Sequence, residues 1–321
     1  MILITGGSGF IGSNIVQALN REGIYDILVA DQLDTTDKWK NIADKNIADY
    51  IDKDNLFKEI ANQNLEAVIH MGACTDTMEY DAKQMIADNY EFSKKLWKYC
   101  VEKRIKFIYA SSASIYGDGS SGFTENANLD NMMPLNPYAY SKLLFDRWTA
   151  KQKKTPPYWA GLRFFNVYGP GESHKASMAS MAFHAYHQIQ QDGKVRLFKS
   201  NRINCQHGGQ QRDFIYVKDI ADIVLFLYHS SSFLSGIYNV GSGHARTFNE
   251  LISAVFDACQ TPIQIEYIDM PAELERKYQY YTKSDMTKLR KIGYLRNFTD
   301  IEQGVSEYVR YLDRQGNGSL K

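Results

Sequence analysis

A parallel, doubly wound α/β sheet, with a smaller α/β lobe interleaved at its C-terminal end, is the fold this sequence predicts. Three observations carry that reading. Short β-branched or aliphatic runs alternate with longer helical patterns through the first half, a glycine-rich turn directly follows the first run, and beyond about Asn166 the pattern loosens without a Gly/Ser linker. The 321 residues are about twice a typical ~150-residue domain, so one large unit with a dependent lobe is expected. Hydrophobic residues at 44% and charged residues at 23% exclude wholesale disorder. With 37 basic against 37 acidic side chains, no global field draws the chain to nucleic acid or an anionic membrane, so any anion site must be local. The four cysteines are widely spaced and read as reduced thiols. The start at Ile2-Leu3-Ile4 has no basic region ahead of it, and no 18-residue apolar run occurs, so a soluble cytoplasmic protein is expected.

Taken in order, Ile2–Thr5, Asp26–Asp31, Glu66–His70, Lys106–Ala110 and Tyr158–Phe164 read as strands, apolar enough to be covered on both faces. Ile11–Glu22, Asp54–Asn62, Asp81–Lys103 and Pro137–Lys154 read as the helices between them. These compose a Rossmann-type domain over 1–166, completed by later segments at about 212–246, with a second domain over 167–321. Ser200–Gln211 is polar and irregular, Phe214–Tyr228 reads as strand then helix, and Thr247 with Glu250 spells a capping box that starts a helix over Phe248–Ala258.

After the first strand, Thr5-Gly6-Gly7-Ser8-Gly9-Phe10-Ile11-Gly12 opens a helix. Glycines at 6, 9 and 12 let the turn tighten, the backbone approach a pyrophosphate, and the helix pack on the sheet with its first amides facing the anion. Asp31 ends the second strand, where an acid meets the adenosine ribose of a dinucleotide. An acid there suits the 2′-hydroxyl of NAD, whereas Lys38 nearby suits the 2′-phosphate of NADP, and the two pull in opposite directions.

Asn136 and Pro137 open the helix that carries Tyr138 and Lys142, four apart and on one face. Using a tyrosine of ordinary pKa as a base at neutral pH costs about 4 kcal/mol, which a nearby ammonium offsets in part. Ser112 follows the fourth strand at its carboxyl end, where such sheets bind ligands, and can hydrogen-bond a reacting oxygen.

With the glycine turn, Ser112, Tyr138 and Lys142, and Arg212-Asp213-Phe214-Ile215-Tyr216-Val217 followed by Asp219, the chain resembles the extended short-chain dehydrogenases/reductases that act on nucleotide-activated sugars, over essentially its whole length. The likeness narrows to the epimerases of ADP-activated heptose through Asn46-Ile47-Ala48-Asp49-Tyr50, Gly72-Ala73-Cys74, Arg163-Phe164-Phe165-Asn166-Val167-Tyr168-Gly169-Pro170 and His174-Lys175-Ala176-Ser177-Met178-Ala179-Ser180. The resemblance implies an isomerase that inverts C6 of the heptose with retained NADP as a temporary hydride store, supplying heptose for the lipopolysaccharide core. It also implies a homo-oligomer, a pentamer. Tyr138 and Lys175 then serve opposite faces of the sugar as acid/base groups, because one fixed side chain cannot reach the oxygen in both orientations. By the same resemblance Phe10, Ile11, Asp31, Gln32, Lys38, Lys53, Met71, Gly72, Ala73, Cys74, Thr75, Asp88, Lys142, Val167 and Lys175 match cofactor positions. Substrate positions match Ser112, Asn166, Ser177, His184, Phe198, Lys199, Ser200, Asn201, Arg212 and Tyr278, with Arg212 and His184 suited to a diphosphate. Three features depart from the family pattern: Met71 replaces a usual glutamate, Asp88 a frequent asparagine, and Asn204–Gln211 lengthens the loop before Arg212.

Sugar dehydration is disfavoured because Ala113-Ser114-Ile115 after Ser112 holds no carboxylate. UDP-hexose 4-epimerisation shares the core constellation and is separated by the pocket lining alone. A non-catalytic dinucleotide sensor would lack the Tyr/Lys/Ser set. His184 and His187 at helical spacing have no accompanying third ligand, so no metal is expected.

Overall fold

The computed structural model describes residues 1–75, 82–126, 128–275 and 278–318. Its strands are β1 (Ile2–Thr5), β2 (Ile27–Asp31), β3 (Asp49–Asp52), β4 (Ala67–His70), β5 (Lys106–Ser112), β6 (Trp159–Phe164), β7 (Asn166–Tyr168), β8 (Val195–Phe198), β9 (Gln211–Tyr216), β10 (Gly236–Val240), β11 (Ala245–Thr247) and β12 (Ile265–Ile268). Its helices are α1 (Phe10–Arg21), α2 (Leu56–Glu59), α3 (Ala82–Met85), α4 (Phe92–Lys103), α5 (Pro137–Ala150), α6 (Met181–Asp192), α7 (Val217–His229), α8 (Phe248–Ala258), α9 (Ala272–Glu275), α10 (Thr287–Lys291) and α11 (Ile301–Gly318). No helix among the described residues is long and apolar enough to cross a membrane.

Seven strands form one parallel sheet in the order β10-β6-β5-β4-β1-β2-β3. The order reverses beside β1, which makes the crevice at the carboxyl ends of β1 and β4 the expected ligand site. Alternation along each strand divides the core. Ile2 and Ile4 face Ile15 and Leu19 of α1 and Ile220 and Val224 of α7. Leu3, Val68 and Phe107 face Leu96 and Trp97 of α4 and Phe145 of α5. At ~25 cal/mol per Å² of buried apolar surface, these two layers supply most of the driving force for folding. A further cluster joins Ala185 and Ile189 of α6, Val255 of α8 and Val305 and Tyr308 of α11, building the lobe that covers one end of the sheet.

Three expected helices are corrected. The Asp54–Asn62 helix shrinks to a 3₁₀ turn at Lys53–Asn55 and the short α2, because Leu56 and Ile60 are buried and polar Asn62-Gln63-Asn64 follows. The Asp81–Lys103 helix is interrupted by a π-turn at Ile86–Glu91, and Asp81 lies outside the described residues. Helix α5 stops at Ala150 rather than Lys154. Two strands without a clear pattern, β3 and β10, flank the sheet: β3 buries only Ile51. The capping box at Thr247 and Glu250 is formed as expected.

Candidate active site

The glycine turn packs tightly enough to exclude side chains. Gly6 has φ +68°, and a Cβ there would lie 2.5 Å from the Gly72 amide nitrogen; a Cβ on Gly12 would lie 2.1 Å from the Gly6 carbonyl oxygen. Helix α1 begins at Gly9 with no side-chain cap and no acid in its first turn. Its first amides therefore remain free to donate to an anion, and this cradle fits a dinucleotide pyrophosphate.

At the end of β2, Asp31 accepts from Ser8 N (2.9 Å), Gln32 N (2.8 Å) and Lys38 Nζ (2.5 Å). Lys53 pairs with Asp88 at 2.9 Å. Phe10, Ile11, Met71, Ala73, Thr75, Ser112, Tyr138, Lys142, Asn166, Val167 and Lys175 line one cavity of about 400 Å³ at the carboxyl ends of β1, β4, β5 and β6.

Asn136 caps α5 by accepting from Ala139 N at 2.8 Å, and Pro137 follows as first helical residue. This aims Tyr138 and Lys142 at the end of β5, where the Tyr138 hydroxyl meets Ser112. Lys142 Nζ donates to Ala110 O at 3.0 Å and lies 6.0 Å from the Tyr138 ring centroid. Burial pushes the Lys142 ammonium down to about 8, against which Asp146 and Cys74 act. Burial also raises the Tyr138 phenol, and the Ser112 hydrogen bond opposes it. Desolvation therefore dominates at the phenol, and the Lys142 ammonium is anchored on the Ala110 carbonyl.

Lys175 sits in a 3₁₀ segment at Ser173–Met178, with Nζ 5.4 Å from the Phe10 ring centroid. Burial lowers its ammonium and Glu172 opposes this. Glu172 is fully buried and accepts from Gly169 N (3.2 Å), Ser180 N (2.6 Å) and Ser180 Oγ (2.7 Å). It thereby ties both ends of the lysine segment, in which Ala176 takes φ +46°, a region L-residues avoid.

The expected substrate residues form a second group. Arg212 is nearly buried, with its guanidinium 5.7 Å from the Phe248 ring and 5.1 Å from the Tyr278 ring, and its Nη1 donates to the Gln211 carbonyl at 2.9 Å. Phe248 also lines the cavity that holds Tyr138 and Lys175, so the cation stands beside it. Asn201 N donates to Tyr280 Oη at 3.0 Å, Ser200 N to His207 Nδ1 at 3.0 Å, and Lys199 pairs with Asp269 at 2.9 Å. His184 Nε2 meets the Ser177 carbonyl at 3.3 Å. Phe198 ends β8. Among the expected substrate residues, Ser112 and Asn166 border the cavity itself.

Of the buried polar residues that the sequence left unmarked, two bear on helix α5. Asp88 points to Lys53, and the amide that enters the site is its neighbour Asn89, turned inward by the π-turn. Asn89 accepts from Cys74 N (2.8 Å) and donates to Cys74 O (2.9 Å) and Ser141 Oγ (2.9 Å); Ser141 in turn donates to the Tyr138 carbonyl at 2.7 Å. The other is Asp146, one turn beyond Lys142, which accepts from Tyr109 Oη, Ser111 Oγ and Arg163 Nε, all at 3.0 Å. A polar residue on an otherwise apolar helix face was the available signal for each.

The sequence profile of the NAD dependent epimerase/dehydratase family matches residues 2–241. The chain belongs to that family. It is 47% identical over 329 residues to the ADP-L-glycero-D-manno-heptose-6-epimerase of Fusobacterium nucleatum, covering 98% of this chain and 99% of the relative. Among solved structures, the Helicobacter pylori ADP-L-glycero-D-manno-heptose-6-epimerase superposes with a TM-score of 0.81 at 25% identity, covering 97% of this chain and 96% of that one. UDP-N-acetylglucosamine 4-epimerase from Methanobrevibacter ruminantium superposes with a TM-score of 0.84 at 25% identity, each chain covered to 98%. This family member is accordingly a nucleotide-sugar epimerase, an isomerase working with a nicotinamide dinucleotide.

Proposed function

We propose that the chain interconverts ADP-D-glycero-D-manno-heptose and ADP-L-glycero-D-manno-heptose by transient oxidation at C6, with NADP retained, to supply heptose for the lipopolysaccharide core. The observation that carries this reading is that Tyr138 with Ser112, and Lys175 from another loop, line one cavity. Two separated proton-handling groups are what inversion through a ketone requires. When bound, the nicotinamide supplies a hydride acceptor and donor. Ser112 hydrogen-bonds the sugar oxygen, Tyr138 moves its proton in one orientation and Lys175 in the other, and Lys142 keeps a positive charge behind the phenol. Arg212, a cation between two aromatic rings with a single carbonyl partner, suits the diphosphate. The homo-oligomeric assembly and the cytoplasmic location implied by the resemblance belong to this proposal.

NADP is favoured over NAD by the state of Asp31. Of its roughly four lone-pair directions, three are taken by Ser8 N, Gln32 N and Lys38 Nζ. This leaves little acceptor capacity for a ribose 2′-hydroxyl and stations an ammonium beside it. Lys38→Ala should weaken NADP about 10- to 100-fold and NAD much less, as a charge-assisted contact to phosphate is lost; calorimetric titration checks this, and equal losses remove the role. Lys175→Met should slow single-turnover oxidation of one C6 epimer about 10²-fold or more while the other epimer and NADP affinity change little. Equal rates with both epimers reject the two-base scheme. The test of the whole reading is incubation with ADP-heptose and, separately, UDP-glucose, with products followed by NMR. Inversion at C6 of the heptose supports it, and conversion of UDP-glucose instead assigns a 4-epimerase.

A further inference from the structure

His174 is the residue before Lys175, and the proposed chemistry leaves it unused. It stands on the loop between β7 and α6, about 140 positions from the end of β2, yet it meets the coenzyme end of the site. Asn41 makes the junction. Its Nδ2 donates to Ser8 O of the glycine turn (3.1 Å) and to Gly171 O (3.0 Å), and it lies 3.2 Å from His174 Nδ1. Two carbonyl partners fix which end of the amide faces the ring. The two amide protons are shared among three acceptors, and an amide nitrogen has no lone pair to offer, so a proton on Nδ1 would face N–H against N–H; the proton of a neutral imidazole sits on Nε2. Among the described residues Nε2 has no hydrogen-bond partner, and it is therefore a donor with capacity to spare.

The surrounding charges define what it can serve. Lys38, Asp31 and Asp34 all act on the imidazole across the gap between loops, together with Lys175 beside it. Asp31 is already neutralised by Lys38 and two amides. Asp34 is folded onto Thr36 through its amide at 2.7 Å and its hydroxyl at 2.5 Å. What remains unspent is the Nε2–H of His174 and the third proton of the Lys38 ammonium, whose other two go to Asp31 and to the Gln32 carbonyl at 3.3 Å, near the ribose end of β2. Burial, followed by Lys38 and Lys175, holds the imidazole below its ordinary pKa, so an arriving dianion meets a neutral donor that can charge in response.

We propose that His174 is a second ligand for the 2′-phosphate of NADP, donated by the loop that carries Lys175, opposite Lys38. Occupation of the coenzyme's 2′ position then helps hold Lys175 in the cavity. This rests on the NADP reading above.

Calorimetric titration of the full chain with 2′,5′-ADP and with 5′-AMP separates the two ideas. Wild type should prefer 2′,5′-ADP, and His174→Ala should lose about 10-fold or more for that probe with little change for 5′-AMP. His174→Gln, which keeps a donor near the Nε2 position, should recover part of the loss. If wild type binds both probes equally, the NADP reading falls and the inference with it. If Lys38→Ala selectively weakens 2′,5′-ADP and His174→Ala does not, NADP stands and the role of His174 is rejected. Equal losses of both probes in a His174→Ala protein with an unchanged thermal melt also overturn it.

Discussion

Tyr138→Phe should lower epimerisation about 10²- to 10⁴-fold, the usual worth of a positioned general acid/base, while leaving NADP affinity nearly unchanged. The ring packs against the same neighbours without its hydroxyl, so only the proton-handling group and its hydrogen bond to Ser112 disappear. The residue is half-buried on a capped helix, and the fold should be retained. Product formation followed by NMR, together with a binding titration, checks both halves. Turnover at the wild-type rate would remove Tyr138 from the chemistry.

Asp146→Ala should cost about 3–5 kcal/mol of stability, because it strands a buried guanidinium. Arg163 and Asp146 are both wholly inaccessible. Among the described residues Arg163 otherwise reaches only Tyr116 Oη at 2.8 Å, and its Nη2 has no partner. The same substitution removes the negative charge that helps Lys142 stay protonated against burial. Urea unfolding of the variant measures the loss. A change below about 1 kcal/mol, the scale of an exposed pair, would contradict the account of this network.

What the sequence made legible was local in origin. The glycine turn, the Asn136-Pro137 helix start, the Tyr138/Lys142 spacing and the Thr247/Glu250 box each lie within a few positions, where sterics and hydrogen bonding act without tertiary help. Asn89, Asp146 and His174 were hidden because their meaning comes from partners distant in sequence: Ser141 for Asn89, Arg163 for Asp146, Asn41 for His174. The π-turn escaped because it changes register within an apparently continuous helix. The flanking strand β3 escaped because a strand with a single buried residue has almost no hydrophobic pattern to read.

The central proposal is that hydrogen removed from C6 of the sugar is kept and returned to the opposite face. Turning over ADP-heptose deuterated at C6 in ordinary water tests it most directly. The proposed chemistry predicts a mixture of C6 epimers with deuterium retained at C6 and no net accumulation of NADPH. Loss of the label to solvent would show that a proton, not a hydride, leaves that carbon, and would contradict the proposal.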